Sequence, residues 1–273
     1  SPTDPIAVLG ILKKAGVPHK LEAKIAGESL FNDGIGVVIF LTIFQIAKSG
    51  SGHVEAGEIA LLFVEEVGGG IGLGLLLGFV AYNLMRTIDN YEVEVLITLA
   101  LVMGGYWIAS SLHFSGPLAM VVIGLMISHQ RFRFSSMSAI TEKHVFQFWE
   151  LVDVLLNAIL LVLIGLEVVI LTLDSQYLLA GALAIPLTLL ARFIALTIPI
   201  KVLERRLEFI PNTNLIMTWG GLRGGISIAL ALALTESMSR DLLLTMTYTV
   251  VLFSIVVQGL TVEKLVRRQV EAA

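Results

Sequence analysis

The sequence predicts an all-α, polytopic membrane helix bundle. Three observations carry that prediction. Hydrophobic residues make up 56% of the 273 positions and charged residues only 15%, with a mean hydropathy of +0.88, a balance too apolar for an ordinary soluble domain. Apolar runs close to the roughly 20 residues that a helix needs to cross hydrocarbon recur eight times between residues 25 and 262. No alternation of about ten residues, the mark of a barrel strand, appears, and open sheet edges cannot face lipid, so the runs are expected to be helices.

Taken in order, the segment 6–12 is apolar but too brief to cross alone, and it reads as the second half of a helix interrupted near Pro5. The run at 25–47 is long enough to span and carries Glu28, Ser29, Asn32 and Asp33 inside apolar sequence. At 58–85 the glycines Gly68, Gly69, Gly70, Gly72, Gly74 and Gly78 fit close helix packing. Runs at 93–112 and 115–130 follow, with His113, His129 and, further on, His144 near span ends, where they mark interfaces rather than metal ligands. The run at 148–173 holds Asp153, Asn157 and Glu167; the first two are one turn apart, which favours a network between helices over direct ion ligation. Spans at 177–200, 213–235 and 241–262 complete the set, the first with Arg192 and the second with Arg223. The connectors 48–57 and 130–143 are short and polar and leave no room for a soluble domain.

The formal net charge of −4 says little by itself; in membranes the distribution of Lys and Arg among loops carries the information. Alternating the spans across a bilayer puts nearly all the loop bases, from Lys13, Lys14, Lys20 and Lys24 through Arg131 and Arg133 to Arg267 and Arg268, on one side. Only Lys48 and Arg240 fall on the other, while Arg192 and Arg223 lie inside spans. The basic side is cytoplasmic by the positive-inside rule, and the C-terminus with it. Absence of cysteine excludes disulfide scaffolds and thiolate metal sites. Ser1 opens the chain, and 1–16 lacks the charged and cleavable parts of a signal peptide, so the sequence is expected to begin inside a longer protein.

Charge at membrane depth costs about 2.5 to 3.5 kcal/mol per residue on insertion scales, so acids and bases kept there point to function. In Thr3-Asp4-Pro5 the proline has no amide proton and biases Asp4 away from helical geometry. Unwound backbone at that depth is tolerated only beside a cavity or within protein; the alternative is a helix N-cap with Pro5 in the first turn. In 28–33, helical spacing puts Glu28 with Asn32 and Ser29 with Asp33 on common stripes, so Ser29 and Asp33 can present oxygens to one point. Oxygen ligands suit a hard cation, and a carboxylate that takes either cation or proton is the minimum for exchange. The alternative is a hydrogen-bond network joining helices.

Arg192 is flanked by apolar residues, and a buried guanidinium needs a buried carboxylate. Glu28 is the natural partner, unless Arg192 instead snorkels to the interface. That pairing leaves Asp33 as the acid of the cluster with no obvious cation beside it. Around Arg223, the glycines Gly220, Gly221, Gly224 and Gly225 predict a second interrupted helix, because glycine weakens helix; close packing would explain the glycines but not the arginine. Paired interruptions in two halves of a chain point to a midplane binding site. No phosphate loop, nucleophile triad or metal-spaced histidine cluster occurs, so neither enzyme chemistry nor a resident cofactor nor a nucleic-acid partner is expected.

These motifs, in this order, resemble the monovalent cation:proton antiporter family, especially NhaP-like bacterial sodium/proton antiporters and sodium/hydrogen exchangers. The resemblance rests on Thr3-Asp4-Pro5, on Glu28-Ser29 with Asn32-Asp33, on Arg192 and on the 220–225 segment, with 148–150 and 257–261 also similar. It implies an antiporter fold with discontinuous crossing helices and inverted repeats, here lacking the first spans. It also implies a single transport domain over 1–273, with core elements at 1–48 and 177–268 and intervening helices at 58–173. Asp33 would bind Na+, Thr3, Asp4, Ser29 and Asn32 would assist, Glu28 would pair with Arg192, and Arg223, Gly221 and Gly224 would support the broken helix. The expected activity is exchange of a monovalent cation, Na+ foremost, for H+ across a bacterial inner or plasma membrane by a homodimer. Because position 32 is Asn, one titrating acid implies one proton per cation and no net charge moved. The rivals are K+/H+ exchange, a cation channel, which would need a continuous polar ring, and a non-transporting remnant.

Overall fold

A computed structural model of the chain describes residues 2–3, 19–48, 56–129, 138–170, 174–204 and 212–271. These residues are almost entirely helical, with no strand among them. Ten helices follow one another: α1 His19–Lys48, α2 Ala56–Thr87, α3 Tyr91–Ser111, α4 Gly116–Ser128, α5 Ala139–Ile170, α6 Ser175–Leu203, α7 Thr213–Gly220, α8 Gly225–Leu232, α9 Arg240–Phe253 and α10 Gly259–Glu271. A short 3-10 turn, Glu236–Met238, precedes α9, and a π turn, Ser254–Gln258, joins α9 to α10 into one long helix. Six of the resulting helices are long and apolar enough to cross a membrane, and the pair α7 and α8, bent by 50° at its break, makes up to seven.

One feature departs from the sequence pattern. The apolar run at 115–130 is helical over only 13 residues, about 20 Å at 1.5 Å per residue and short of the hydrocarbon thickness. Its ends explain why. Ser115 caps the start by accepting from the Leu118 amide, Pro117 sits in the first turn, and His129 leaves helical geometry at the other end. The segment 6–12 lies outside the described residues.

The chain divides into two compact units, residues 1–33 with 161–273, and residues 34–160. In the first, Leu21 and Ile25 of α1, Leu196 of α6, Ile216 and Met217 of α7, Leu222 in the break, and Val262 and Val266 of α10 form one buried cluster. The four-residue spacings 21/25 and 262/266 put one stripe of each helix into it. In the second unit, α2 and α4 meet along Gly70, Gly74 and Gly78. A Cβ at these positions would stand 2.8 Å from the Ser115 carbonyl oxygen, 2.7 Å from Val122 Cβ and 2.6 Å from Met126 Sδ respectively. Only hydrogen at these positions permits that approach. Many large apolar side chains, among them Leu155, Leu163, Leu187 and Ile198, point outward, which suits a hydrocarbon surround.

Candidate functional site

The α1 turn 28–33 lies within continuous helix, so its polar side chains project at the expected four-residue spacing and meet the non-helical residues Pro2 and Thr3. Thr3 and Ser29 are almost fully buried. The Thr3 amide donates to Asp33 Oδ1 at 2.9 Å. Ser29 Oγ donates to the Thr3 carbonyl. Since that uses the single hydroxyl proton of Ser29, its 3.0 Å contact with Thr3 Oγ1 has threonine as donor. Asn32 Nδ2 in turn donates to Thr3 Oγ1 at 3.2 Å. Thr3, Ser29, Asn32 and Asp33 thus form one cluster in which four side chains and an irregular backbone converge. Asp4 and Pro5 lie outside the described residues.

One turn away, Arg192 and Glu28 make a two-pronged contact, Nη2 to Oε2 at 2.8 Å and Nη1 to Oε1 at 3.2 Å. The guanidinium's remaining edge is used as well: Nε donates to the Met217 carbonyl at 3.1 Å, near the end of α7. A parallel pair of bonds and a third acceptor are what a planar five-donor fork requires when it leaves water. The side chain of Arg192 is 7% exposed, so it does not snorkel.

Residues 221–224 are non-helical and separate α7 from α8. The glycines there do not serve through left-handed geometry, since Gly221 has φ −77° and Gly224 φ −112°. What Gly221 contributes is space, because a Cβ on it would coincide with the Arg192 guanidinium. Between them, the buried Arg223 donates its amide to Ser254 Oγ at 2.8 Å and its Nη1 to the Pro2 carbonyl at 3.4 Å. The Arg223 guanidinium thus reaches the carbonyl immediately before Thr3, whose amide holds Asp33, although its sequence context marks it only as support for the break.

The remaining polar groups sit elsewhere. Asn157 Nδ2 donates to Asp153 Oδ1 at 3.1 Å within α5, and the side chain of Glu167 lies outside those described. His113 and His129 end α3 and α4, and the ring of His144 stands 4.5 Å from that of Tyr91. Four participants have no assignment from sequence. Two are carbonyls, of Pro2 and Met217, and a backbone oxygen carries no residue signal. The others, Ser254 and Gln258, are polar residues in an apolar run, and that was the available clue.

The family model described as "Sodium/hydrogen exchanger, transmembrane" matches residues 1–268. The chain belongs to the sodium/hydrogen exchanger family. Its curated relatives include the Na(+)/H(+) antiporter NhaP of Pseudomonas aeruginosa, 47% identical over 98% of this chain and 64% of the relative. The Na(+)/H(+) antiporter NhaH of Halobacillus dabanensis is 37% identical over 98% of this chain and 66% of its own length. The low-affinity Na(+)/H(+) antiporter NhaS1 of Synechocystis is 33% identical over 96% of this chain and 51% of its own length. The chain therefore spans from about half to just under two thirds of these exchanger relatives. As a member of a transporter family with several membrane-capable helices, it is an integral membrane protein.

Proposed function

We propose that this chain carries the ion site of a secondary antiporter that exchanges Na+ for H+, one for one. The observation that carries the reading is the Asp33 carboxylate held by the Thr3 amide beside the oxygens of Thr3, Ser29 and Asn32. A hard cation that sheds water needs such oxygens, and a proton competes for the same carboxylate. Glu28 is neutralised by Arg192 and Asn32 cannot titrate, so a single group alternates between the two ions. Core elements 1–48 and 177–268 then carry the site, with Asp4 contributing to it. We assign the basic loops and the C-terminus to the cytoplasm, and a homodimer as the working assembly.

In proteoliposomes made with the full-length protein, Asp33→Asn is expected to abolish Na+-driven proton movement while leaving the melting temperature near that of the wild type. Exchange that survives this substitution overturns the assignment. Under a clamped membrane potential the wild-type rate is expected to be independent of voltage; a clear dependence contradicts a single titrating carboxylate.

A further inference from the structure

The long helix formed by α9 and α10 is interrupted at 254–258, where the Gly259 amide reaches back five residues to the Ser254 carbonyl. Such π turns are rare in helices and concentrate at functional sites. Here the turn carries two polar residues, Ser254 and Gln258, 0% and 2% exposed. Each meets backbone that the break between α7 and α8 leaves without helical partners. Ser254 Oγ accepts from the Arg223 amide at 2.8 Å, ahead of α8, and Gln258 Nε2 donates to the Trp219 carbonyl at 2.9 Å, at the end of α7. An acceptor is thus supplied to a stranded donor and a donor to a stranded acceptor. Trp219 adds a third tie from its own side, its indole Nε1 donating to Thr261 Oγ1 at 2.9 Å.

We propose that Ser254 and Gln258 are positioning residues for transport, setting the register of the broken helix and so the place of Arg223 beside the ion site. The path is short and continuous. Ser254 holds the Arg223 amide, the Arg223 guanidinium reaches the Pro2 carbonyl, and the next residue, Thr3, gives its amide to Asp33. Arg223 thus carries its charge against the backbone that positions Asp33, so its place bears on how a cation is held there, the more so where the dielectric is low.

The inference rests on Asp33 being the ion site, and two separate readouts test it. In full-length protein reconstituted into liposomes, Ser254→Ala and Gln258→Leu are expected to raise the apparent KM for Na+ about fivefold, the worth of one lost hydrogen bond, and to shift the pH profile of exchange. Ser254→Thr, which keeps the hydroxyl, is expected to restore both. Independently of activity, hydrogen exchange of peptides covering 219–224 is expected to lose protection in Ser254→Ala and Gln258→Leu and to retain it in Ser254→Thr. A variant that keeps wild-type protection there shows that the clamp does not exist. Lost protection with unchanged KM and pH profile shows a clamp without a positioning role. If the wild type itself exchanges no Na+ for H+, the ion-site reading fails and the positioning role with it, while the protection data still decide whether the clamp exists.

Discussion

In the unit made of residues 1–33 and 161–273, buried polar groups are answered by specific partners: Arg192 by Glu28 and a carbonyl, Arg223 by Ser254 and Pro2, Asp33 by Thr3. In the unit of residues 34–160, glycines Gly70, Gly74 and Gly78 let two helices close on each other, and the Trp149 indole donates to Thr98 Oγ1 at 3.0 Å between two others. That second unit also contains Glu94, wholly buried near the start of α3, with neither carboxyl oxygen hydrogen-bonded among the described residues. Buried charge is expensive in both units; among the described residues Arg192 of the first is compensated through hydrogen bonds and opposite charge, whereas Glu94 of the second is not. The first unit gathers the residues that we propose hold the ion, and there the polar side chains cannot be dispensed with and must be partnered.

The comparison is broken most directly at Arg192. Arg192→Met leaves Glu28 without its cation, and is expected to lower stability by about 3–5 kcal/mol, read as a fall in melting temperature in detergent. Adding Glu28→Gln to that background is expected to recover part of the loss, because the stranded charge is gone. Additive losses in the double variant would show that the two side chains do not stabilise as a pair.

Gly221→Ala comes next, since its Cβ would meet the Arg192 guanidinium. The expected cost is about 1–3 kcal/mol from overpacking, together with loss of exchange, because the ion pair must shift to make room. Gly74→Ala sharpens the contrast. Its Cβ would stand 2.8 Å from the Ala119 carbonyl oxygen, which is backbone and cannot step aside. A better helix propensity offsets part of the strain, leaving about 1–2 kcal/mol of destabilisation. Exchange should stay near the wild-type rate, and a loss as large as that of Gly221→Ala would erase the distinction between the two seams.

The smallest effect is expected at Glu94. Removing a buried acid that makes no hydrogen bond abandons no interaction, so Glu94→Leu should be neutral or stabilising by up to about 1 kcal/mol. A melting temperature several degrees lower, with exchange impaired, would show that Glu94 has a partner or a role that the described residues do not reveal.

Much of this protein was legible in its residues. The membrane helices follow from apolar runs and from the rule that every backbone polar group in lipid must be satisfied within its own segment, which is a local condition. The run at 115–130 was misleading because hydropathy does not register the cap at Ser115 or the early end at His129. The acids and bases of the site stood out because each is costly where it sits.

Residue types and their order therefore specify an inventory: which segments are helical and apolar, and which few polar residues lipid-like surroundings must accommodate. The tertiary structure decided how they meet. Glu28 and Arg192 are separated by 164 residues, and no local rule specifies the angle at which their helices approach. Gly221 illustrates the point, for its composition signals a weak helix, whereas its folded use is to leave room for a guanidinium from another helix. The carbonyls of Pro2 and Met217 carry no side-chain signature at all, and hydrogen bonding by backbone is specified only once the chain has brought donor and acceptor within 3 to 3.5 Å.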